Sequence, residues 1–209
     1  MCATQSKLRL RSVWYKGPMS TSEALPEFRR AAPEDAFDVA RRLFRQGERV
    51  DMATLAEQLG IGRTTLYRWV GDREQLMGRV VVAAIAATWA DARANARGKG
   101  QERTLDSVRR FIAAVSADLD LRGFVQREPS LALRVLMDPE GTVARTLQAG
   151  LGSALAQDAA GTDRGAEVGD EILAVTIQVA TSLVWANVAG SLEPRADSIT
   201  DVLRKVLRP

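Results

Sequence analysis

The chain contains no histidine. That absence removes Ser-His-Asp and Cys-His catalysis and every histidine-based metal site. It has a single cysteine, Cys2, so neither an intrachain disulfide nor a zinc-binding cysteine cluster can form. Such thiol usage fits a reducing, cytoplasmic compartment. The N-terminus lacks an apolar run followed by a small-residue cleavage site, and no secretion signal is expected. Phosphate-loop and nucleophile-elbow signatures are missing too. "GKG" at 98–100 has neither the Ser/Thr nor the upstream glycine of a P-loop, and Ser153 lacks the flanking elbow glycines. The carboxylate pairs Glu34-Asp35 and Asp170-Glu171 sit at helix starts, where the helix dipole accounts for them. An enzyme is not expected, nor a metal or cofactor.

What is present is apolar mass and uneven charge. With 209 residues, 46% of them hydrophobic, the chain can bury the core of one or two compact domains. The net charge of +3 is modest, but through Val82 there are 14 Lys+Arg against 10 Asp+Glu, a net of +4. From Ala83 on there are 15 against 16, a net of −1. A basic head on a neutral body suits a nucleic-acid partner, although a mildly basic soluble chain would show the same total.

Residues 1–31 lack periodicity and carry Lys7, Arg9, Arg11 and Lys16 with no acid before Glu23. They read as a disordered tail, or as a basic arm for DNA phosphates, with Met19 as an alternative start. Helical signals then follow one another. A first helix runs from Pro33 to Gly47, a second from Met52 to Leu59 capped by Asp51, and a third from Arg63 to Val70. Asp72 and Gln75 have capping-box spacing and open a long helix to Arg97. Further helices are expected over 102–119, over "SLALRVLM", from Asp138-Pro139 to Ala156, over 166–192 and over 198–207. Gly123 and Pro129 mark a looser region, and "DAAGTDRGAE" reads as a polar loop. With no strand-like alternation, the fold class is all-α.

"LAEQLGIGRTTLYRWVGDREQL", Leu55 to Leu76, packs two short helices around a glycine turn, the layout of a helix-turn-helix. Leu55, Ala56, Leu59, Ile61, Leu66 and Val70 lock the pair, and Gly60 supplies the left-handed residue that ends the first. Arg63, Thr64, Thr65 and Arg68 then face out. An α-helix fits the major groove, where arginine meets guanine bidentately and threonine meets a base edge or a thymine methyl. Tyr67 has a hydroxyl for a phosphate, and Arg73 lies in the first turn of the next helix, where N–H groups also bind phosphate. An ordinary helical corner with a solvated charged face has the same generic pattern.

Over residues 33–80 this stretch resembles the DNA-binding signature of the TetR family of bacterial transcriptional regulators. Leu55-Ala56, Gly60-Ile61, Thr65-Leu66-Tyr67, Trp69 and Arg73 before Glu74 and Leu76 carry the resemblance. Within that family, "GRTTLYRWVGDREQL" is similar to regulators of the QsdR type, linked to breakdown of lactone quorum signals. The resemblance puts DNA contacts at Arg63, Thr64, Thr65, Tyr67, Arg68 and Arg73. Asp51 stands where the family often has Ser or Thr and receives no DNA role, and Gly62 replaces a frequent Ser and so lacks that phosphate donor. The implied organisation is a tail over 1–31, a helix-turn-helix domain over 32–79, and a ligand-binding and dimerisation domain over 80–209. The implied function is a repressor released from an inverted-repeat operator in double-stranded DNA by a small, mostly apolar ligand. A helical enzyme, or a membrane-associated helical protein without DNA binding, is the alternative.

Ile172 to Leu192 is uncharged over its whole length. It could span a membrane, but Thr176, Gln178, Thr181, Ser182, Asn187 and Ser191 and the lack of a second span favour a buried helix. It has two apolar stripes, Ile172, Val175, Val179, Leu183 and Ala186 on one, Leu173, Ile177, Val184 and Val188 on the other. One faces the core and the other a partner subunit. Ile177, Val184 and Val188, with Ile199, Val202, Leu203 and Val206 of the last helix, are assigned to a two-fold homodimer interface. The ligand site implied by the resemblance is placed among Trp89, Phe111, Phe124, Met137, Gln178, Trp185 and Asn187. Core packing is the competing role for each aromatic. For the two amides, a neighbouring backbone group competes with a ligand.

Overall fold

The computed structural model describes residues 30–159, 169–190 and 196–206. Every regular element among them is a helix. A head of α1 (Pro33–Gln46), α2 (Met52–Gln58) and α3 (Arg63–Val70) leads into the long α4 (Arg73–Ala94). The body adds α5 (Gln101–Ala117), α6 (Leu119–Arg127), α7 (Pro129–Met137), α8 (Thr142–Ala159), α9 (Asp170–Gly190) and α10 (Ala196–Val206).

Local chemistry sets the head's boundaries. The Asp35 carboxylate accepts the Ala32 N–H at 2.7 Å as α1 begins. Asp51 Oδ1 accepts the Ala53 and Thr54 N–H groups at 3.0 and 2.9 Å, and the Thr54 bond foremost holds its carboxyl below the ordinary value. Asp72 and Gln75 bond reciprocally, side chain to backbone, at 2.8 and 3.0 Å. Gly71, at φ 75, must be glycine: a Cβ there would come within 1.8 Å of the Gln75 oxygen that closes this box. Gly60, at φ 65, ends α2 as its left-handed residue, and Ile61 N–H returns to the Ala56 carbonyl at 3.0 Å.

One buried cluster joins Ala36, Ala40 and Phe44 of α1 to Leu55, Ala56, Leu66, Val70, Leu76 and Val80, and continues into the body through Phe124, Leu131 and Val188. The expected helix-turn-helix core is therefore in place, with Leu59 and Ile61 half-buried against it. Leu66 is wholly buried, and Leu66→Ala would cost about 2–5 kcal/mol. A second cluster holds Leu105, Val108, Ile112, Leu151, Leu173, Ile199 and Leu203. A polar pin stands at its edge. Arg93 of α4 grips Asp158 of α8 with both terminal nitrogens, at 2.7 and 3.0 Å, while Thr104 of α5 donates at 2.6 Å.

The body departs from the expected boundaries in several places. The helix expected over 102–119 stops at Asp118, which leaves helical geometry and accepts the Leu121 N–H at 2.8 Å. α6 then crosses the region expected to be loose, because an interior Gly123 costs a helix only about 1 kcal/mol. α4 ends at Ala94, not Arg97, where Asn95 folds its amide back onto Asp91. Asp138 caps a turn by accepting the Glu140 N–H at 3.0 Å, and α8 starts only at Thr142. The basic tail through residue 29, loop residues 160–168, and Leu192, Pro194 and Leu207 lie outside the described residues.

Candidate functional site

α3 turns Leu66 and Val70 into the head and leaves Arg63, Thr64, Tyr67 and Arg68 exposed on the opposite side, with Thr65 half-buried. Trp69 packs half-buried on the head core. Tyr67 keeps 47% of its surface, uncommon for an aromatic with no packing role. Gly62 caps α3 without a side-chain bond, so its first N–H groups have no side-chain acceptor. No acidic residue falls between Gly60 and Gly71. The surface is cationic, helical and rich in donors.

Arg73 does not join that face. Its guanidinium turns into the junction between head and body, where Nε donates to the Val50 carbonyl and Nη2 to Glu128, each at 2.5 Å. Glu128 sits between α6 and α7 and also pairs with Arg49 at 3.5 Å. A partner 55 residues away claims a side chain that the local sequence offered to phosphate. Nearby, Glu74 pairs with Arg134 of α7, and Phe44 of α1 meets Phe124 of α6 edge-on at 5.7 Å. The α6–α7 hairpin is thus bonded to the head through charge and through the core.

The other side of that hairpin lines a cavity of about 240 Å³ within the body. Val81, Ile85 and Trp89 of α4, Phe111 and Ile112 of α5, Leu121 and Val125 of α6, Leu147 and Leu151 of α8, and Ile177, Val184 and Trp185 of α9 form its walls, and Leu203 of α10 adds to them. Trp89 and Phe111 stack edge-on at 5.4 Å. Among the described residues no charged side chain lines it, and the polar ones that do are Thr146, Thr176 and Thr181, with the two indoles.

Three of the expected lining residues, Trp89, Phe111 and Trp185, are therefore on the cavity wall. Phe124 is not, since it packs on Phe44 in the core. Nor are Met137 and Gln178: the Gln178 amide donates to the Met137 carbonyl at 3.5 Å, the neighbouring-backbone alternative. The side chains of Asn187 and Val206 lie outside the described residues. The sequence reading missed the threonines. Their signal was the repeat at 176, 177, 180, 181, 184, 185 and 188, one continuous face of α9.

The interface assignment on α9 and α10 needs correction. Val188, Ile199 and Leu203 are buried inside the subunit, and Ile177 and Val184 face the cavity. Among the described members of that group Val202 alone is exposed. The open stripe is the other one, with Ile172, Val175 and Val179 uncovered, Val175 by 62%. Both stripes are equally apolar, so only the packing of α5, α8 and α10 decides which turns inward. Among the described residues α9 alone is long and apolar enough to cross a membrane.

The tetracyclin repressor-like C-terminal domain family matches residues 99–208. The structure of the transcriptional repressor QsdR of R. erythropolis, from the TetR family, superposes with a TM-score of 0.76 at 27% identity, over 84% of this chain and 93% of that one. The TetR family repressor AlkX of Dietzia sp. strain DQ12-45-1b matches at 17% identity with a TM-score of 0.48, over 85% and 98% of the two chains. A TetR transcriptional regulator of Rhodococcus sp. RHA1 matches at 18% and 0.49, over 84% and 90%. No curated protein gives a match. With the family matched over residues 99–208 of 209 and the helix-turn-helix in place, the chain belongs to the TetR family.

Proposed function

We propose that this protein is a transcriptional repressor that binds an inverted-repeat operator as a homodimer and leaves it when a small, mostly apolar molecule fills the body cavity. The observation that carries the reading is the α3 surface, on which Arg63, Thr64, Tyr67 and Arg68 stand free on a helix whose other side is locked into a core. Arginine and threonine there can reach base edges, and Tyr67 and the uncapped N–H groups can hold phosphate. The likeness to QsdR, described as a repressor, favours repression over activation.

The regions divide as a head over residues 32–79 and an effector and dimer body over 80–209, with the basic tail over 1–31 before them. The exposed stripe of Ile172, Val175 and Val179, with Val202 of α10 beside it, is the surface a second copy covers. Two-fold pairing there sets two α3 helices toward successive major grooves, about 34 Å apart. The link between sites is the α6–α7 hairpin, which lines the cavity on one side and holds Phe44, Arg49, Arg73 and Glu74 of the head and the α4 start on the other. A ligand that shifts the hairpin moves the heads, and DNA must weaken ligand binding by the factor that ligand weakens DNA binding.

The test is a gel shift with DNA from the promoter adjoining the protein's own gene. A salt-sensitive complex that resists unrelated competitor DNA supports the reading. Binding no tighter than to competitor at any salt concentration rejects it.

A further inference from the structure

We infer that the cavity selects an uncharged molecule of about ten non-hydrogen atoms carrying a hydrogen-bond acceptor, and that the Thr176 hydroxyl binds that acceptor. The inference rests on the effector-cavity reading above and names the ligand class.

Size follows from volume. An apolar cavity of about 150 Å³ takes one benzene, so 240 Å³ takes roughly ten heavy atoms. Charge follows from the walls. An ionised group buried there would meet no counter-charge among the described residues, and burial of an unpaired ion is prohibitive.

The acceptor follows from Thr176. It is 8% exposed and lines the cavity, yet its hydroxyl forms no hydrogen bond among the described residues. Several helical hydroxyls elsewhere are satisfied, although Ser116 of α5 is also buried without a partner among the described residues. Thr146 donates to the Thr142 carbonyl at 2.8 Å, Ser182 to Gln178 at 2.8 Å, Thr200 to Asp197 at 2.9 Å, and Thr104 to Asp158 at 2.6 Å. A hydroxyl left without a partner on the cavity wall can donate to a ligand acceptor, which removes the cost of leaving it unpaired. Esters, lactones and amides supply such an acceptor without charge.

The test is calorimetric titration of the full-length protein, without DNA, using methyl heptanoate and its isomer octanoate. The ester should bind, and octanoate at pH 7 should bind several hundredfold more weakly, because an acid with a pKa near 4.3 is almost wholly ionised there. Its apparent affinity should rise about tenfold for each pH unit lowered. Thr176→Val, close in shape, should weaken the ester about three- to tenfold, and Thr176→Ser should restore it to within about twofold. The inference is overturned if the ester does not bind, if Thr176→Val leaves its affinity unchanged, or if octanoate matches it at pH 7. An ester that binds through Thr176 but leaves DNA affinity untouched upholds the ligand class and instead rejects the repressor-release reading.

Discussion

The Arg73 guanidinium lies 2.5 Å from the Glu128 carboxylate, across the seam between the head and the α6–α7 hairpin. Its Nε is spent on the Val50 carbonyl, just before the cap of α2. With its side chain only 22% exposed and both functions engaged, Arg73 is a tie between helices. Arg73→Ala should therefore lower stability by about 1.5–3 kcal/mol, the cost of hydrogen bonds to a charged group. The salt dependence of DNA binding should stay as in the wild type, because no phosphate contact is lost. Urea unfolding and operator titration from 50 to 200 mM salt check both halves. A slope shallower by about one would show Arg73 on phosphate after all.

The exposed stripe of α9 yields a second prediction. Val175→Asp puts a carboxylate into the proposed interface while leaving the subunit's own core intact, so it should give a folded monomer that has lost operator binding. Val188→Asp, at a site 2% exposed, should instead unfold the body, since an unpaired charge buried there costs several kcal/mol. Sedimentation velocity with circular dichroism separates the two outcomes. A dimeric Val175→Asp protein would move the interface elsewhere.

Asp158 contributes to the acid limb of stability. The Arg93 hydrogen bond foremost, opposed by burial and aided by Thr104 and Arg103, holds its carboxyl below the ordinary value. A folded-state pKa below the unfolded one adds stability that is present above the unfolded value, near 3.9, and lost as pH falls through the folded value. Asp158→Asn should thus cost about 3 kcal/mol at pH 7, because it leaves Arg93, only 13% exposed, without its counter-charge. The deficit should shrink below pH 4. Thermal unfolding from pH 7 to pH 3 measures it, and a deficit constant with pH would contradict the assignment.

Much of the head was legible because its determinants are local. Pro33, Asp51, Gly60 and the Asp72–Gln75 box each act within four residues, and the structure carries them at those positions. The body was less legible for two physical reasons. Amphipathic spacing runs on across Asp118, so the break into α6 is visible only in the capping bond itself. An apolar helix with two equal stripes says nothing of which one packs inward, and α9 was assigned the wrong way round. Arg73 failed for a third reason, a partner at long range that no local pattern announces. The cavity aromatics Trp89, Phe111 and Trp185 were found by residue type, whereas Thr176 needed the unpaired hydroxyl to stand out.

The central claim is that the outer face of α3 reads DNA. Its most direct measurement is fluorescence anisotropy of wild type, Arg63→Ala, Arg68→Ala and Tyr67→Phe, each titrated onto the operator fragment and onto an unrelated duplex. The arginine variants should lose about 1–3 kcal/mol on the operator and far less on the unrelated duplex, so that specificity falls. Tyr67→Phe should weaken both duplexes alike, as expected when a phosphate contact is lost. Wild-type affinity for the operator in both arginine variants would contradict the account, because no other exposed arginine projects from that helix.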